Sequence, residues 1–121
     1  MEVNKKRVGP VTVAQLTGVM DSASASQVHE QIVPMLLNRR PLLMDLTGVS
    51  HVSDAGLRTL LTVYRQAQAV DGNVALVGLS DEVRTVLAAT GFLRFFVVAN
   101  DVPAGLTALR TAQSTQRSVT V

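Results

Sequence analysis

The sequence predicts an α/β domain, a mostly parallel inner β-sheet with flanking helices on at least one face, in the order β-β-α-β-α-β-α-β-α. Three observations carry this expectation. The apolar period switches repeatedly between two residues and three to four residues along the chain. The strands that follow the first helix are short continuous apolar runs, as in strands covered on both faces. Each helical stripe is bracketed by its own capping or turn signals, so helices alternate with strands as in crossover units. At 121 residues the chain has the size of one ordinary domain.

Residues 3–8 precede a Gly9-Pro10 turn, and residues 11–16 then alternate apolar with polar side chains, which suits an antiparallel strand pair. Ala25, Val28, Ile32, Met35 and Leu36 recur at helical steps and form one apolar stripe. Asp21, Ser22, Ser24 or Ser26 can cap that helix. Asn38-Arg39-Arg40-Pro41 ends it, because proline cannot continue the hydrogen-bond ladder. Residues 41–46 read as a buried strand.

A second stripe, Leu57, Leu60, Leu61, Tyr64 and Ala67, is closed by the turn signal Asp71-Gly72-Asn73. Residues 74–79 form another buried strand. Ser80-Asp81-Glu82 opens a third helix, the serine as cap and the carboxylates at the positive end of the helix dipole. Val83, Val86 and Leu87 face inward, and Gly91 stops the helix in a left-handed conformation. Residues 95–98 make the last strand, and residues 102–112 a last helix with Leu106 and Leu109 inward. Residues 113–121 are polar and without period, and are expected to form a flexible tail on a domain of residues 1–112.

Composition excludes several classes of function. The formal charge of +2 is small and scattered, which argues against nucleic acid as a partner. Without cysteine there is no disulfide, thiol nucleophile or thiolate metal site. His29 and His51 fall in different elements without ligand spacing, so neither a metal nor a cofactor is expected. No apolar run approaches the roughly 20 residues that span a bilayer, and the basic N-terminus leads into no apolar signal core. The expectation is a cytoplasmic protein without direct membrane insertion.

The segment from Leu43 to Arg58 is the most informative. It reads as a buried strand ending near Asp45, a polar loop from Gly48 to Asp54, and an abrupt helix start. Ser53 suits the N-cap, worth about 1 kcal/mol over alanine. Asp54 in the first turn gains roughly 0.3–1 kcal/mol from the helix dipole. Gly56 permits close approach of the helix to a neighbouring backbone. Capping accounts for these residue types, but not for the crowding of Ser50, His51, Ser53 and Asp54 into one loop.

With these residues identified, the chain resembles the STAS domain, the fold of bacterial anti-sigma factor antagonists. Gly18-Val19-Met20-Asp21, Asp45-Leu46-Thr47-Gly48-Val49, Ser53-Asp54-Ala55-Gly56-Leu57, Ala89-Thr90-Gly91-Phe92 and Phe95-Phe96-Val97-Val98 match in order, over about residues 3–112. The resemblance implies a non-catalytic module of partner-switching signalling. The dephosphorylated antagonist binds a serine kinase/anti-sigma factor of the histidine-kinase-like ATPase type, which then releases its sigma factor. Phosphorylation of a serine at the start of the second helix breaks the complex, and a phosphatase restores it.

The regulated relatives read Asp-Ser-Ser/Thr-Gly-Leu at this helix start, with the first serine as phosphoacceptor. Aligned on Gly56, this chain places Asp54 at that position and a serine one step earlier. Three readings stand open. Asp54 is a built-in charge mimicking phosphoserine, incompletely, since a phosphate carries about −1.5 to −2 charges and three acceptor oxygens. Alternatively, the partner has adapted to Asp54 and binds without phosphate control. In the third reading, Ser53 or Ser50 has become the acceptor.

Asp21 is either a cap for the first helix or a partner contact. Asp45 and Asp54 flank the loop, but the first strand ends in Leu16-Thr17-Gly18, without the acidic cluster that a metal-binding receiver needs. His51 belongs to no serine–histidine–carboxylate order, and Gly48 and Gly56 do not form a phosphate-binding loop. Arg58, one turn past Asp54, can meet an acidic partner surface or pair back to Asp54. The expected partner-binding set is therefore Asp21, Asp45, Gly48, His51, Ser53, Asp54, Gly56 and Arg58, with no catalytic residue. A second function class is a cytoplasmic STAS accessory subunit of an anion or lipid transport system, which needs no phosphoserine. The edge residues 3–8 leave a monomer or weak dimer as the expected state.

Overall fold

Gly9, at φ 59°, turns the chain back on itself and starts the sheet as a hairpin of β1 (Glu2–Val8) and β2 (Val11–Met20). Then follow α1 (Ser22–Leu36), β3 (Leu42–Val52), α2 (Asp54–Ala69), β4 (Val74–Val77), α3 (Asp81–Thr90), a 3-10 turn (Phe92–Phe95), β5 (Val97–Ala99) and α4 (Val102–Thr120). The computed structural model describes residues 1–36, 40–70 and 72–120. The sheet order is β1-β2-β3-β4-β5, antiparallel between β1 and β2 and parallel elsewhere. This is the expected α/β arrangement and element order.

Strand alternation sorts the core into two layers. Ala14, Leu16, Met44, Leu46 and Leu76 face α1, α2 and α3, which contribute Val28, Ile32, Leu60, Val63, Val83 and Leu87. Val13, Leu43, Ala75 and Val77 face the other way, where Leu109 of α4 is fully buried. The sheet is thus covered on both faces, thinly on the α4 side.

Several boundaries differ from the sequence expectation. Pro34 lies inside α1, while the expected stop at Asn38-Arg39-Arg40-Pro41 falls largely outside the described residues. β4 stops at Val77 because Gly78, at φ 70°, bends the chain against Thr47, leaving no room for a Cβ. The expected strand start at Phe95-Phe96 is instead the end of the 3-10 turn, where Phe95 stacks on Tyr64 at 5.1 Å and Phe96 meets the same ring edge-on at 5.6 Å. Aromatic packing onto α2 thus displaces the first part of that strand. Without glycine or proline after residue 105, α4 continues to Thr120, beyond the expected end at residue 112.

Candidate functional site

The largest correction concerns residues 48–52, expected as a loop. They continue β3 to Val52, paired with β2 as far as Met20. Two irregularities make this possible. Between the pairs Gln15↔Asp45 and Thr17↔Gly48, and again between Gly18↔Val49 and Val19↔His51, β3 carries an extra residue. Such bulges re-aim side chains without ending a strand. They keep Val49 and Val52 in the core while Gly48, Ser50 and His51 are exposed. Ser50 is the unpaired residue of the second bulge.

Pairing with β1 stops at Thr17 and pairing with β4 stops at Asp45. The ends of β2 and β3 therefore extend past both neighbouring strands as a two-stranded ribbon. Helices α1 and α2 begin directly from its two ends, bringing Asp21 and Asp54 to one edge of the domain.

The entrance to α2 is tied to that ribbon. The Ser53 amide donates to the Met20 carbonyl at 2.9 Å, and Leu57 N–H donates to the Ser53 carbonyl at 2.8 Å. Ser53 has extended geometry, φ −81° and ψ 177°, and its Oγ accepts from Gly56 N–H at 3.3 Å, so it is the expected N-cap. A Cβ on Gly56 would collide with the Met20 carbonyl oxygen. Gly56 is buried by this approach and serves the fold. The Asp54 carboxylate is exposed and makes no hydrogen bond or ion pair among the described residues.

Asp21 caps α1. Its Oδ1 accepts from the amides of Ala23 at 3.0 Å and Ser24 at 3.1 Å. Buried Ser24 answers, its Oγ accepting from the Asp21 amide and donating to the Val19 carbonyl, each at 2.9 Å. This reciprocal box fixes the Asp21 backbone. In the sequence Ser24 is only one of several residues able to cap this helix.

Asp45 lies well away from this edge, seven positions up the strand from Val52 and on the order of 20 Å along it. Its Oδ1 accepts from Thr47 N–H at 3.0 Å and from Thr47 Oγ at 2.6 Å, which shapes the first bulge. Gly48 is pressed against β2, where a Cβ would lie 2.9 Å from Thr17 Oγ1 and 3.1 Å from the Leu16 carbonyl.

His51 does belong to the edge. Its Nδ1 lies 3.1 Å from Glu82 Oε1 of α3, linking the ribbon to the third helix through an exposed pair. The sequence around Glu82 signals only a helix start; no local pattern connects residues 31 positions apart. Arg58 does not pair back to Asp54. It lines an open groove of about 370 Å³ between α1 and α2, with His29, Glu30 and Thr62.

Among the described residues no group of three or more His, Asp or Glu side chains is placed to hold a metal ion. None of the described helices is long and apolar enough to cross a membrane.

Comparison with known proteins agrees with this architecture. The STAS domain family profile matches residues 2–105. BtrV of Bordetella bronchiseptica, provisionally named an anti-sigma factor antagonist, is 34% identical over 113 residues, 93% of this chain and 97% of that protein. The crystal structure of an anti-sigma factor antagonist from Mycobacterium paratuberculosis superimposes with a TM-score of 0.82 at 22% identity, covering 90% of this chain and 93% of the other. The phosphorylated form of SpoIIAA, a Bacillus cell fate determinant, superimposes with a TM-score of 0.65 at 19% identity, covering 83% and 93% of the two chains.

Proposed function

The chain belongs to the STAS domain family, and from that premise we propose that it is a phosphorylation-independent partner-switching module that docks a serine kinase/anti-sigma factor through the edge bearing Asp54. It is a binding module and not an enzyme, as its anti-sigma factor antagonist relatives are. Its place is in signalling that regulates transcription.

One observation carries the phosphorylation-independent reading. At the position that the resemblance aligns with the family's phosphoacceptor, the chain presents the exposed carboxylate of Asp54, unpaired among the described residues, while the adjacent Ser53 hydroxyl is engaged as the cap of α2. A carboxylate there is a fixed single charge, smaller than a phosphate and unable to be removed by a phosphatase. The partner's contact surface accommodates that charge permanently. Asp21, His51 and Arg58 lie around it and complete the docking surface. Gly48 and Gly56 act through the backbone that shapes the edge, while Asp45 fixes the bulge at Thr47 further up β3.

Incubation with the cognate kinase and ATP, followed by mass spectrometry, tests this reading. The expected result is a stable complex with no phosphate on the chain. Phosphate on Ser53 or on exposed Ser50, accompanied by loss of the complex, overturns it.

A further inference from the structure

β1 is an edge strand, paired among the described residues with β2 alone. All of its residues except Val3 are exposed. Lys5, Lys6 and Arg7 follow one another along it and, among the described residues, make no ion pair. The register sets Lys5 opposite Ala14 and Arg7 opposite Thr12, but Lys6 opposite Val13. Ala14 belongs to the face covered by α1 and α2, Val13 to the face covered by α4. Positive charge therefore lies on both faces of one open strand edge.

This arrangement disfavours a second copy of the chain as the occupant of this edge. A second copy paired antiparallel and centred on Lys6 would bring Lys5, Lys6 and Arg7 against the same residues, and like charges directly opposite are destabilising. A flat anionic membrane fits no better, since it can meet only one face of the sheet at a time. A strand lying alongside β1 meets both faces and also satisfies the open backbone groups.

We propose that β1 takes an extended acidic segment of a partner protein as an additional strand, carboxylates opposite Lys5, Lys6 and Arg7. Val13, the partner of Lys6, lies seven positions before Met20 in β2, roughly 20 Å along the strand. The site is thus separate from the edge at Asp54, and the two surfaces can be occupied together. Lysines on an edge also guard against aggregation; that role alone predicts no binding.

The probe is a short peptide with three consecutive glutamates flanked by threonines, so that its carboxylates fall on both faces of the added strand, titrated into the isotopically labelled full chain. Nuclear magnetic resonance should report shifts confined to β1 and slowed exchange at its alternate outward amides. Charge reversal of all three cations, or the milder Lys6→Thr with Lys5→Thr, should weaken binding by about tenfold or more while the fold is retained. A peptide methylated at alternate backbone nitrogens should lose binding although its charge is unchanged. Equal binding of the methylated peptide, shifts outside β1, or binding to phosphatidylglycerol vesicles but not to the peptide would overturn the proposal. None of these outcomes bears on docking at Asp54, which is read by variants of that residue.

Discussion

The amide of Ser53 is bonded to the carbonyl of Met20 at 2.9 Å, so the N-cap of α2 hangs from the last residue of β2. Because Asp21 follows Met20 directly, the same contact holds the two helix entrances side by side. The candidate docking edge is consequently a product of one strand pair and its two exits.

Gly56→Ala tests how tightly this junction is built. The added Cβ meets the Met20 carbonyl, a backbone atom with little freedom to yield. Destabilisation of about 1–3 kcal/mol is expected, the range for overpacking a close contact. Urea unfolding followed by circular dichroism measures it; an unchanged midpoint would mean that α2 can slide away from β2.

Ser24→Ala removes a buried hydroxyl that accepts from the Asp21 amide and donates to the Val19 carbonyl. Leaving such groups without partners costs about 1–3 kcal/mol. The loss should exceed that of Ser22→Ala in the same turn, whose side chain is exposed. Equal losses for the two variants would remove Ser24 from the capping box.

Asp54 should matter more to binding than to folding. Asp54→Ala removes only a favourable interaction with the helix dipole, roughly 0.3–1 kcal/mol. Calorimetric titration of the kinase should show altered affinity for Asp54→Ala, and Asp54→Ser should become a kinase substrate. Indistinguishable affinity of wild type, Asp54→Ala and Asp54→Ser would take the residue out of the mechanism. Recovery of a permease complex in place of a kinase complex would favour the transport role.

Leu109→Ala probes the thin side of the sheet. Leu109 is the fully buried side chain that α4 sets against Val13, Leu43 and Val77. A loss of about 2–5 kcal/mol is expected from the lost burial and the cavity left behind. Chemical denaturation gives the value, and a change below about 1 kcal/mol would mean that α4 repacks freely.

Much of this was legible in the sequence because the signals are local. Ser80 and Gly91 bracket α3 as their residue types require, the serine accepting from Val83 N–H at 3.2 Å and the glycine taking φ 79°. Ser53 as cap and Gly56 as a close-approach residue follow from the same kind of signal.

The order of elements, the two-sided burial of the inner strands and the caps of the second and third helices are thus written into the local sequence. These depend on neighbours within a helical turn or a strand's alternation. Only the tertiary structure decided that residues 48–52 are strand rather than loop, since their pairing with β2 survives through two bulges that leave no periodic trace. Only it separated Asp45, spent on Thr47, from Asp54, and joined His51 to Glu82 across two elements. Only it shows that, among the described residues, the charged strand β1 has no strand on its outer side. Each of these depends on which strands lie side by side and where their pairing stops, a long-range relation that no local pattern records.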